Sequence, residues 1–361
     1  MKIAIARGEG CFGGIFRRFR ELSSWCQGRH ETVGLMPLGQ DDVSLDWPVR
    51  TLCYNRLRHI RPDLLRADSI DGVLAACDRL IERIAADLRT ESPDKVLAVD
   101  TDLKGLCVVA ACRRAGFPVT TFVAGVSSEE AGRDRGRPPP FVALVERYCL
   151  EQSDRLIFPS LFVAEYCAAK HLGMAPFSVV HNGIADTFLQ AERAGHGSRA
   201  IGAVMRLSWV KNPEALGRIA WALQQRGYSL DLITDTDAKS RPADLKVLAN
   251  VNLVEPTLSD ESLADFYGRR RAVVCPSRFE ASGNVPMESI AVGTPAVITD
   301  RMGIGELFRN FGLGHLIVPV GDVEGAVERL VDAEPVPLPV RERIRAEFSW
   351  QAVCPRLVAA L

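Results

Sequence analysis

The chain has 361 residues, of which 47% are hydrophobic and 25% are charged. This length is large for one hydrophobic core, so we expect two domains of roughly 150–200 residues each. The formal net charge of −1 excludes a general electrostatic attraction to nucleic acid or to an anionic membrane surface.

Hydrophobic runs are short throughout the chain. None approaches the ~20 apolar residues of a membrane span, and the sequence opens on a five-residue predicted strand that is too short for a signal peptide. We therefore expect a cytoplasmic protein without integral membrane association. The ten cysteines form no C-x-x-C pair and mostly lie in apolar runs, so we expect buried free thiols and no zinc site.

The first predicted strand, residues 2–6, leads into a glycine-bearing loop. The loop spells G-x-G-x-x-G at Gly8, Gly10 and Gly13. Alone, this pattern favours an NAD(P)-dependent oxidoreductase. Such an enzyme needs an acidic residue at the end of the second strand, residues 31–36, and Met36 and Pro37 stand there instead. The oxidoreductase therefore remains an alternative interpretation.

The next predicted helix, residues 15–26, mixes aromatic and aliphatic residues with three arginines. We expect an amphipathic core helix with Arg17, Arg18 and Arg20 in solvent. The alternative is a basic, aromatic face that touches a membrane or a phosphorylated acceptor.

Strands and helices then alternate, which predicts a parallel sheet with helices on both faces and ligands at the carboxyl ends of its strands. Asp100 and Asp102 directly follow the strand predicted at residues 95–99. Each is a candidate ligand-facing acid, although an N-cap for the next helix explains them equally well. The basic, proline-rich loop at residues 131–140 is either a lid or a plain connection.

The second half begins after a polar segment, residues 190–197, that we interpret as an interdomain linker. A strand at residues 200–205 is followed by Arg206 and Lys211 on one loop. Asn212 and Pro213 then suit the cap and the first position of a helix.

Residues 271–300 contain a strand, a loop, a short helix and a strand. Glu280 lies in the loop and Glu288 in the helix, which we expect Asn284 to cap and Gly293 to end. Gly283 allows a backbone to approach a ligand closely, and the amides that open the helix form an anion site. Two cations on a neighbouring loop beside such a site favour phosphate binding.

This stretch resembles the E-x7-E signature of retaining glycosyltransferases of glycosyltransferase family 4. The family pattern is close to P-S-x-x-E-x-x-G-x-x-x-x-E-A-x-A-x-G-x-P-V. The matching positions are Pro276, Ser277, Glu280, Gly283, Glu288, Ala291, Gly293 and Pro295. Weaker likenesses lie at Gly13-Gly14, Glu146-Arg147-Tyr148, Asn182-Gly183 and residues 303–307.

The resemblance implies an α/β protein with the GT-B fold, in which two Rossmann-like parallel-sheet domains face each other across a cleft. The first domain, residues 1–189, binds the acceptor, and a C-terminal helix at residues 349–361 packs back onto it. The second domain, residues 198–348, binds the nucleotide sugar.

The resemblance also implies site roles. Arg206 and Lys211 hold the donor diphosphate, with help from the backbone amides near Gly283, Asn284 and Val285. Glu280 accepts hydrogen bonds from the donor sugar and Glu288 from the ribose, so Glu280, Arg206 and Lys211 form the expected catalytic group. Gly13 and Gly14 lie where acceptor and donor phosphate meet, and Leu258 ends the segment that reads the nucleobase.

The chain departs from the family pattern at one point. Family members usually have a histidine after the strand at residues 119–123, and residues 124–128 contain none. Asp100, Asp102 or a pair formed by Ser127 and Glu129 would then orient the acceptor, or the acceptor is an amine or thiol that needs little basic help.

We therefore expect a retaining, metal-independent glycosyltransferase with a front-face mechanism. It uses a UDP- or GDP-sugar as co-substrate and has no cofactor, and the acceptor is a small molecule such as a natural product, an amine or thiol, or a sugar alcohol. We expect no nucleic-acid partner and a monomer or homodimer. The alternatives are the oxidoreductase and an inactive nucleotide-sugar-binding homologue.

Overall fold

A computed structural model gives the structure of the protein. It describes residues 1–6, 14–36, 50–53, 67–130, 139–194, 197–234, 248–255 and 259–361. Internal contacts divide the chain into two units, one of Met1–His181 with Val353–Leu361 and one of Asn182–Ala352. The linker expected at residues 190–197 lies C-terminal to this division.

The first unit is built on seven described strands in the order β3-β2-β1-β4-β5-β6-β7, all paired in parallel. The strands are β1 (Lys2–Ala6), β2 (Glu31–Met36), β3 (Arg50–Cys53), β4 (Lys95–Val99), β5 (Val119–Phe122), β6 (Arg155–Phe158) and β7 (Phe177–Val179). The helices are α1 (Gly14–Cys26), α2 (Ile70–Glu91), α3 (Leu103–Ala115), α4 (Ser127–Glu130), α5 (Pro140–Gln152) and α6 (Leu161–Lys170).

Helix α2 shows how the sequence specifies these elements. Its buried residues recur every three or four positions, as on one face of an α-helix. They are Val73, Cys77, Ile81, Ile84, Ala85, Leu88 and Glu91. The Ser69 hydroxyl caps the helix by accepting from the Gly72 N–H at 3.3 Å. The helix ends at Glu91, followed by Ser92 in the left-handed conformation.

The eight cysteines whose burial the structure describes are buried, as expected. The described free cysteines are Cys26, Cys77, Cys107, Cys112, Cys149, Cys167, Cys275 and Cys354. No helix within the described ranges combines the length and the apolar character that crossing a membrane requires.

The second unit contains a parallel sheet of six described strands in the order β10-β9-β8-β11-β12-β13. The strands are β8 (Ala200–Val204), β9 (Ser229–Ile233), β10 (Asn252–Val254), β11 (Ala272–Cys275), β12 (Ala296–Thr299) and β13 (Ile317–Val318). The helices are α7 (Asp186–Gln190), α8 (Pro213–Gln225), α9 (Asp260–Gly268), α10 (Asn284–Val292), α11 (Gly305–Asn310), α12 (Val323–Val331) and α13 (Leu338–Phe348). A last helix, α14 (Trp350–Ala359), begins in the second unit, and from Val353 on it belongs to the first.

The N-terminus of α10 differs from the prediction. Gly283, with φ of 140°, holds the N-cap position, and Asn284 is the first helical residue. The expectation that Asn284 caps the helix is therefore wrong, and its Oδ1 instead accepts from Asn182 Nδ2 at 2.6 Å. A φ of 140° is open to glycine and strained for other residues, so the chain turns at Gly283. Gly293 ends the helix with φ of 103°, as predicted.

The chain passes from one unit to the other at residues 181–182 and again at 352–353. Just inside the second unit these two segments are joined, because the Ile184 N–H donates to the Phe348 carbonyl at 2.7 Å. Gly183 packs on Trp350 so closely that a Cβ atom there would lie 2.4 Å from the indole ring.

We expect Gly183→Ala to lower the free energy of unfolding by about 1–3 kcal/mol, because the added methyl group displaces a packed indole. Gly314→Ala is the matched control, since its Cβ would meet no atom closer than 3.7 Å. Denaturation midpoints measured for both variants and the wild type test this expectation. Equal midpoints for the two variants would contradict it.

Candidate functional site

Strands β8 and β11 bring two loops of the second unit together. They are neighbours in the sheet and run parallel, with Ala272 opposite Ile201 and Val273 opposite Gly202. The loops that follow parallel neighbours leave from the same edge of a sheet. Lys211, after β8, and Glu280, after β11, therefore meet at the carboxyl ends of these strands.

The two side chains form an ion pair in which Lys211 Nζ lies 2.5 Å from Glu280 Oε1. The Ser277 hydroxyl donates to the other carboxylate oxygen, Oε2, at 3.1 Å. Both charged side chains remain about one-fifth exposed, at 22% and 21%. A carboxylate oxygen has two lone pairs, so each Glu280 oxygen can still accept a hydrogen bond from a ligand hydroxyl.

The backbone of Glu280 is fixed on both sides by the segment that follows β12. Its N–H donates to the Arg301 carbonyl at 3.0 Å, and its carbonyl accepts from the Gly303 N–H at 2.8 Å. These bonds form a bridge of parallel type between Glu280 and Met302. The carboxylate is thus held on a loop whose position is set by tertiary hydrogen bonds.

Arg206 lies two residues beyond β8 and is exposed. No hydrogen bond or ion pair joins its side chain to another residue in the described part of the chain. It follows the same strand as Lys211, so the structure places both cations at this edge of the sheet, with Arg206 free to take an anion.

The start of α10 supplies backbone donors. The first N–H groups of a helix have no intrahelical acceptor, and they include those of Asn284 and Val285. One turn later, Glu288 is 8% exposed, and its Oε2 accepts from the buried Tyr267 hydroxyl at 3.0 Å. The predicted contact of Glu288 with ribose remains a proposal.

In the first unit, Asp100 directly follows β4 and has φ of 68°, in the left-handed region. Its carboxyl is half-buried, and burial raises its pKa to about 8, with the Asp102 and Glu130 charges adding to the rise. A hydrogen bond from the Ala124 N–H and the charge of Arg18 oppose the rise. The pKa of this carboxyl therefore lies near neutral pH.

Asp102 caps helix α3. Its Oδ1 accepts from the N–H groups of Lys104 and Gly105, both at 3.0 Å. The helix-cap interpretation, which the sequence left open beside a ligand role, therefore accounts for this carboxylate.

The predicted pair of Ser127 and Glu129 lies on the short helix α4, but their side chains have separate partners. The Ser127 hydroxyl is 3.4 Å from that of Thr101. Glu129 Oε1 accepts from the Tyr166 hydroxyl at 2.5 Å and from Lys170 Nζ at 3.4 Å.

Helix α4 is anchored by Glu146, which is 1% exposed. Glu146 accepts from the Ser128 N–H at 2.8 Å, from the Ser128 hydroxyl at 2.7 Å and bonds His171 Nε2 at 2.9 Å. Although burial raises the pKa of this carboxyl, the bonds from His171 and Ser128 hold it below its ordinary value. Such a satisfied buried acid fixes the helix that follows β5.

Arg18 was not among the predicted site residues, and the expectation that it lies in solvent is wrong. It is 3% exposed, with its guanidinium 3.9 Å from the centroid of the Phe122 ring. Burial lowers its pKa to about 9, against the opposing charge of Asp100. Its Nη1 has no hydrogen-bond partner among the described residues. The signal was present in the sequence, because Arg18 shares a helical face with Leu22 four positions on.

Several predicted residues lie outside the described part of the chain. They are Gly8, Gly10, Gly13 and Leu258, with residues 131–138 of the candidate lid. Gly14 is the first residue of α1. Within the described ranges, no cluster of three or more His, Cys, Asp or Glu residues forms a candidate metal site.

Comparisons with known proteins point the same way for both units. Residues 186–346 match the model of the family described as "Glycosyl transferases group 1", and residues 13–183 match that of "Glycosyl transferase 4-like domain". The chain is 28% identical over 297 residues to glycogen synthase of Mycobacterium tuberculosis (strain CDC 1551 / Oshkosh), a match that covers 76% of this chain and 69% of that protein.

Two further likenesses agree. A D-inositol 3-phosphate glycosyltransferase of Mycobacterium sp. (strain KMS) is 27% identical over 215 residues, 55% of this chain and 49% of that one. Among solved structures, sucrose-phosphate synthase from Thermosynechococcus elongatus superposes with a TM-score of 0.77 at 17% identity, covering 99% of this chain and 97% of that one. The structural likeness identifies the fold as GT-B.

We expect Asp102→Ala to lower the stability of the first unit by about 1 kcal/mol, because two N–H groups at the start of α3 lose their acceptor. Asp102→Asn keeps an acceptor oxygen and should recover most of that loss. Denaturation midpoints of both variants provide the measurement. If Asp102→Asn proves as damaging as Asp102→Ala, the charge and not the cap explains the residue.

Proposed function

The chain belongs to glycosyltransferase family 4 and has the GT-B fold, and from this premise we propose that it is a retaining enzyme acting on a small-molecule acceptor. Enzymes of this family use nucleotide-sugar donors without a further cofactor. The family assignment also sets aside the oxidoreductase interpretation of Gly8, Gly10 and Gly13. What remains to be argued is which residues of this chain bind the donor and how the reaction proceeds.

The main support for the proposal is the ion pair of Lys211 with Glu280. It lies at the carboxyl-end edge of the sheet, where the unpaired Arg206 also lies. Two cations and one carboxylate leave a net positive charge there. The amides at the start of α10 add partial positive charge. A site with this much positive charge suits the diphosphate of a nucleotide sugar.

In this proposal Arg206 and Lys211 stabilise the diphosphate as it leaves the sugar. Preorganised charge of this kind commonly contributes more to catalysis than any other single effect, and loss of one such group costs roughly 10²–10³ in rate. A helix N-terminus contributes only about 0.3–1 kcal/mol to an exposed anion. The two side chains therefore dominate over the amides of Gly283, Asn284 and Val285.

Glu280 binds hydroxyl groups of the donor sugar and does not attack it. Each of its carboxylate oxygens already accepts one hydrogen bond, from Lys211 or from Ser277, and these bonds reduce its reactivity as a nucleophile. With no protein nucleophile, retention follows if the acceptor attacks from the face that the diphosphate leaves. Glu288, in the buried second turn of α10, is assigned to the ribose hydroxyls.

We assign the acceptor to the first unit, residues Met1–His181 with Val353–Leu361. Asp100 is the strongest candidate to orient it, because its carboxyl lies at a strand end and its pKa of about 8 suits proton transfer near neutral pH. A natural product, an amine or thiol, or a sugar alcohol would each present a group that Asp100 can bind.

A panel of ligands tests the donor class. We expect UDP- or GDP-sugars to raise the melting temperature of the protein, since a ligand that binds only the folded state stabilises it. dTDP-sugars, NAD and NADP are the comparison ligands, and differential scanning fluorimetry gives the measurement. Stabilisation by NAD or NADP alone would contradict the proposal.

We expect Glu280→Ala to lower sugar transfer at least ~10²-fold, because the donor sugar loses its hydroxyl acceptor. The nucleotide itself should still bind, since the diphosphate contacts remain. Glu324→Ala is the matched control, because Glu324 is a 67% exposed glutamate of the same unit. Transfer rates and UDP or GDP titrations of the three proteins give the result.

Unchanged turnover in Glu280→Ala would remove Glu280 from the site. If the wild type binds a nucleotide sugar but transfers no sugar to any acceptor, including water, the chain is an inactive binding homologue.

A further inference from the structure

We propose that Arg278 is a positioning residue for the donor diphosphate: it holds the turn that carries Lys211 and so sets where the ammonium group lies. This inference rests on the proposed function, since it assigns the diphosphate to Lys211. Arg278 is two residues before Glu280 and follows β11, whereas the turn follows β8.

Three contacts join Arg278 to this turn. Its backbone N–H donates to the Val210 carbonyl at 2.7 Å. Its Nη1 donates to the Trp209 carbonyl at 2.6 Å, and the guanidinium lies 4.9 Å from the Trp209 ring centroid. The other terminal nitrogen, Nη2, donates to Glu214 Oε2 at 2.8 Å, at the start of α8.

The turn depends on such outside contacts because its own structure is short. Trp209–Lys211 is a three-residue 3-10 helix, and Asn212 directly after it has φ of 62°. Short 3-10 segments have poor internal hydrogen-bond geometry. The loop after β11 supplies a second anchor, since Asn212 Nδ2 donates to the Pro276 carbonyl at 3.1 Å.

The geometry of the contacts requires arginine. A planar guanidinium presents several N–H groups in a fixed fork, so one side chain bonds the Trp209 carbonyl and the Glu214 carboxylate at once while covering an indole ring. A lysine ammonium is a point charge on a flexible stem. Arg278 thereby aligns the loops after β8 and β11, and Lys211 is held at 2.5 Å from Glu280.

Loss of this clamp has a specific consequence. The diphosphate loses a positioned cation, whereas the nucleoside keeps its contacts. The affinity for a nucleoside diphosphate should fall, and the affinity for the matching monophosphate should change much less.

The test is a double-mutant cycle of wild type, Arg278→Ala, Lys211→Ala and the double variant, titrated with UDP and UMP and with GDP and GMP. We expect Arg278→Ala to weaken binding of the diphosphate that the wild type binds by roughly 5- to 100-fold, which lies within the range of coupling between contacting groups. Monophosphate binding should change less than about threefold, at the low end of that range. In the Lys211→Ala background, Arg278→Ala should have little further effect on diphosphate affinity. As a single substitution, Arg278→Ala should raise the donor KM and leave the acceptor KM unchanged.

Two controls separate positioning from general damage. Glu214→Gln keeps an acceptor oxygen for Arg278 Nη2 and leaves the bonds of Arg278 to Trp209 and Val210, so diphosphate affinity should fall much less than in Arg278→Ala. Arg269→Ala removes an arginine of the same unit whose side chain is 67% exposed. If Arg278→Ala does not fold, Arg278→Lys takes its place, with a smaller loss that is again specific for the diphosphate.

The inference is overturned if Arg278→Ala weakens diphosphate and monophosphate binding equally. It is also overturned if Arg278→Ala weakens diphosphate binding as much in the Lys211→Ala background as in the wild type. In either case the proposed function stands. A wild type that binds neither UDP nor GDP overturns both.

Discussion

The ion pair of Lys211 with Glu280 exists because β8 and β11 are parallel neighbours in the second sheet. Their loops belong to segments 69 residues apart in sequence, yet they leave from the same edge of the sheet. The same adjacency lets Arg278 reach the turn after β8 and lets Asn212 reach the Pro276 carbonyl. A change in strand order would separate all of these groups at once, so the proposed donor site depends first on the sheet topology and then on its side chains.

Two buried charged side chains of the first unit, Glu146 and Arg18, differ in their hydrogen bonds. Glu146 is buried and fully engaged by Ser128 and His171, as expected of a structural acid. Arg18 is equally buried, but one of its nitrogens has no partner among the described residues. An unsatisfied buried donor is unfavourable unless something binds it. Hydrogen bonds therefore do not account for the burial of Arg18 as they do for that of Glu146.

Much of the fold and the loops that carry the proposed site could be predicted from the sequence. Alternating strands and helices predicted a parallel sheet, and the resemblance to glycosyltransferase family 4 implied a second one. That resemblance was recognised from the spacing of Glu280 and Glu288 with its flanking residues. Caps formed by one residue and its near neighbours, such as Asn212, were predicted because their hydrogen bonds are local. Asn284 was assigned wrongly as a cap because its actual partner, Asn182, lies 102 residues away.

The positions that sequence reasoning missed share this cause. Arg278 occupies a variable place in the motif, and only the fold shows that it faces the Trp209 carbonyl. Arg18 was expected in solvent because it is charged, although its position places it on the apolar face of α1. Motif residues can be recognised in a sequence because the chemistry requires a particular amino acid at each position. The residues that hold them in place can be any of several amino acids. Positioning residues are therefore found from contacts, and in this protein the contacts lead from Lys211 to Arg278.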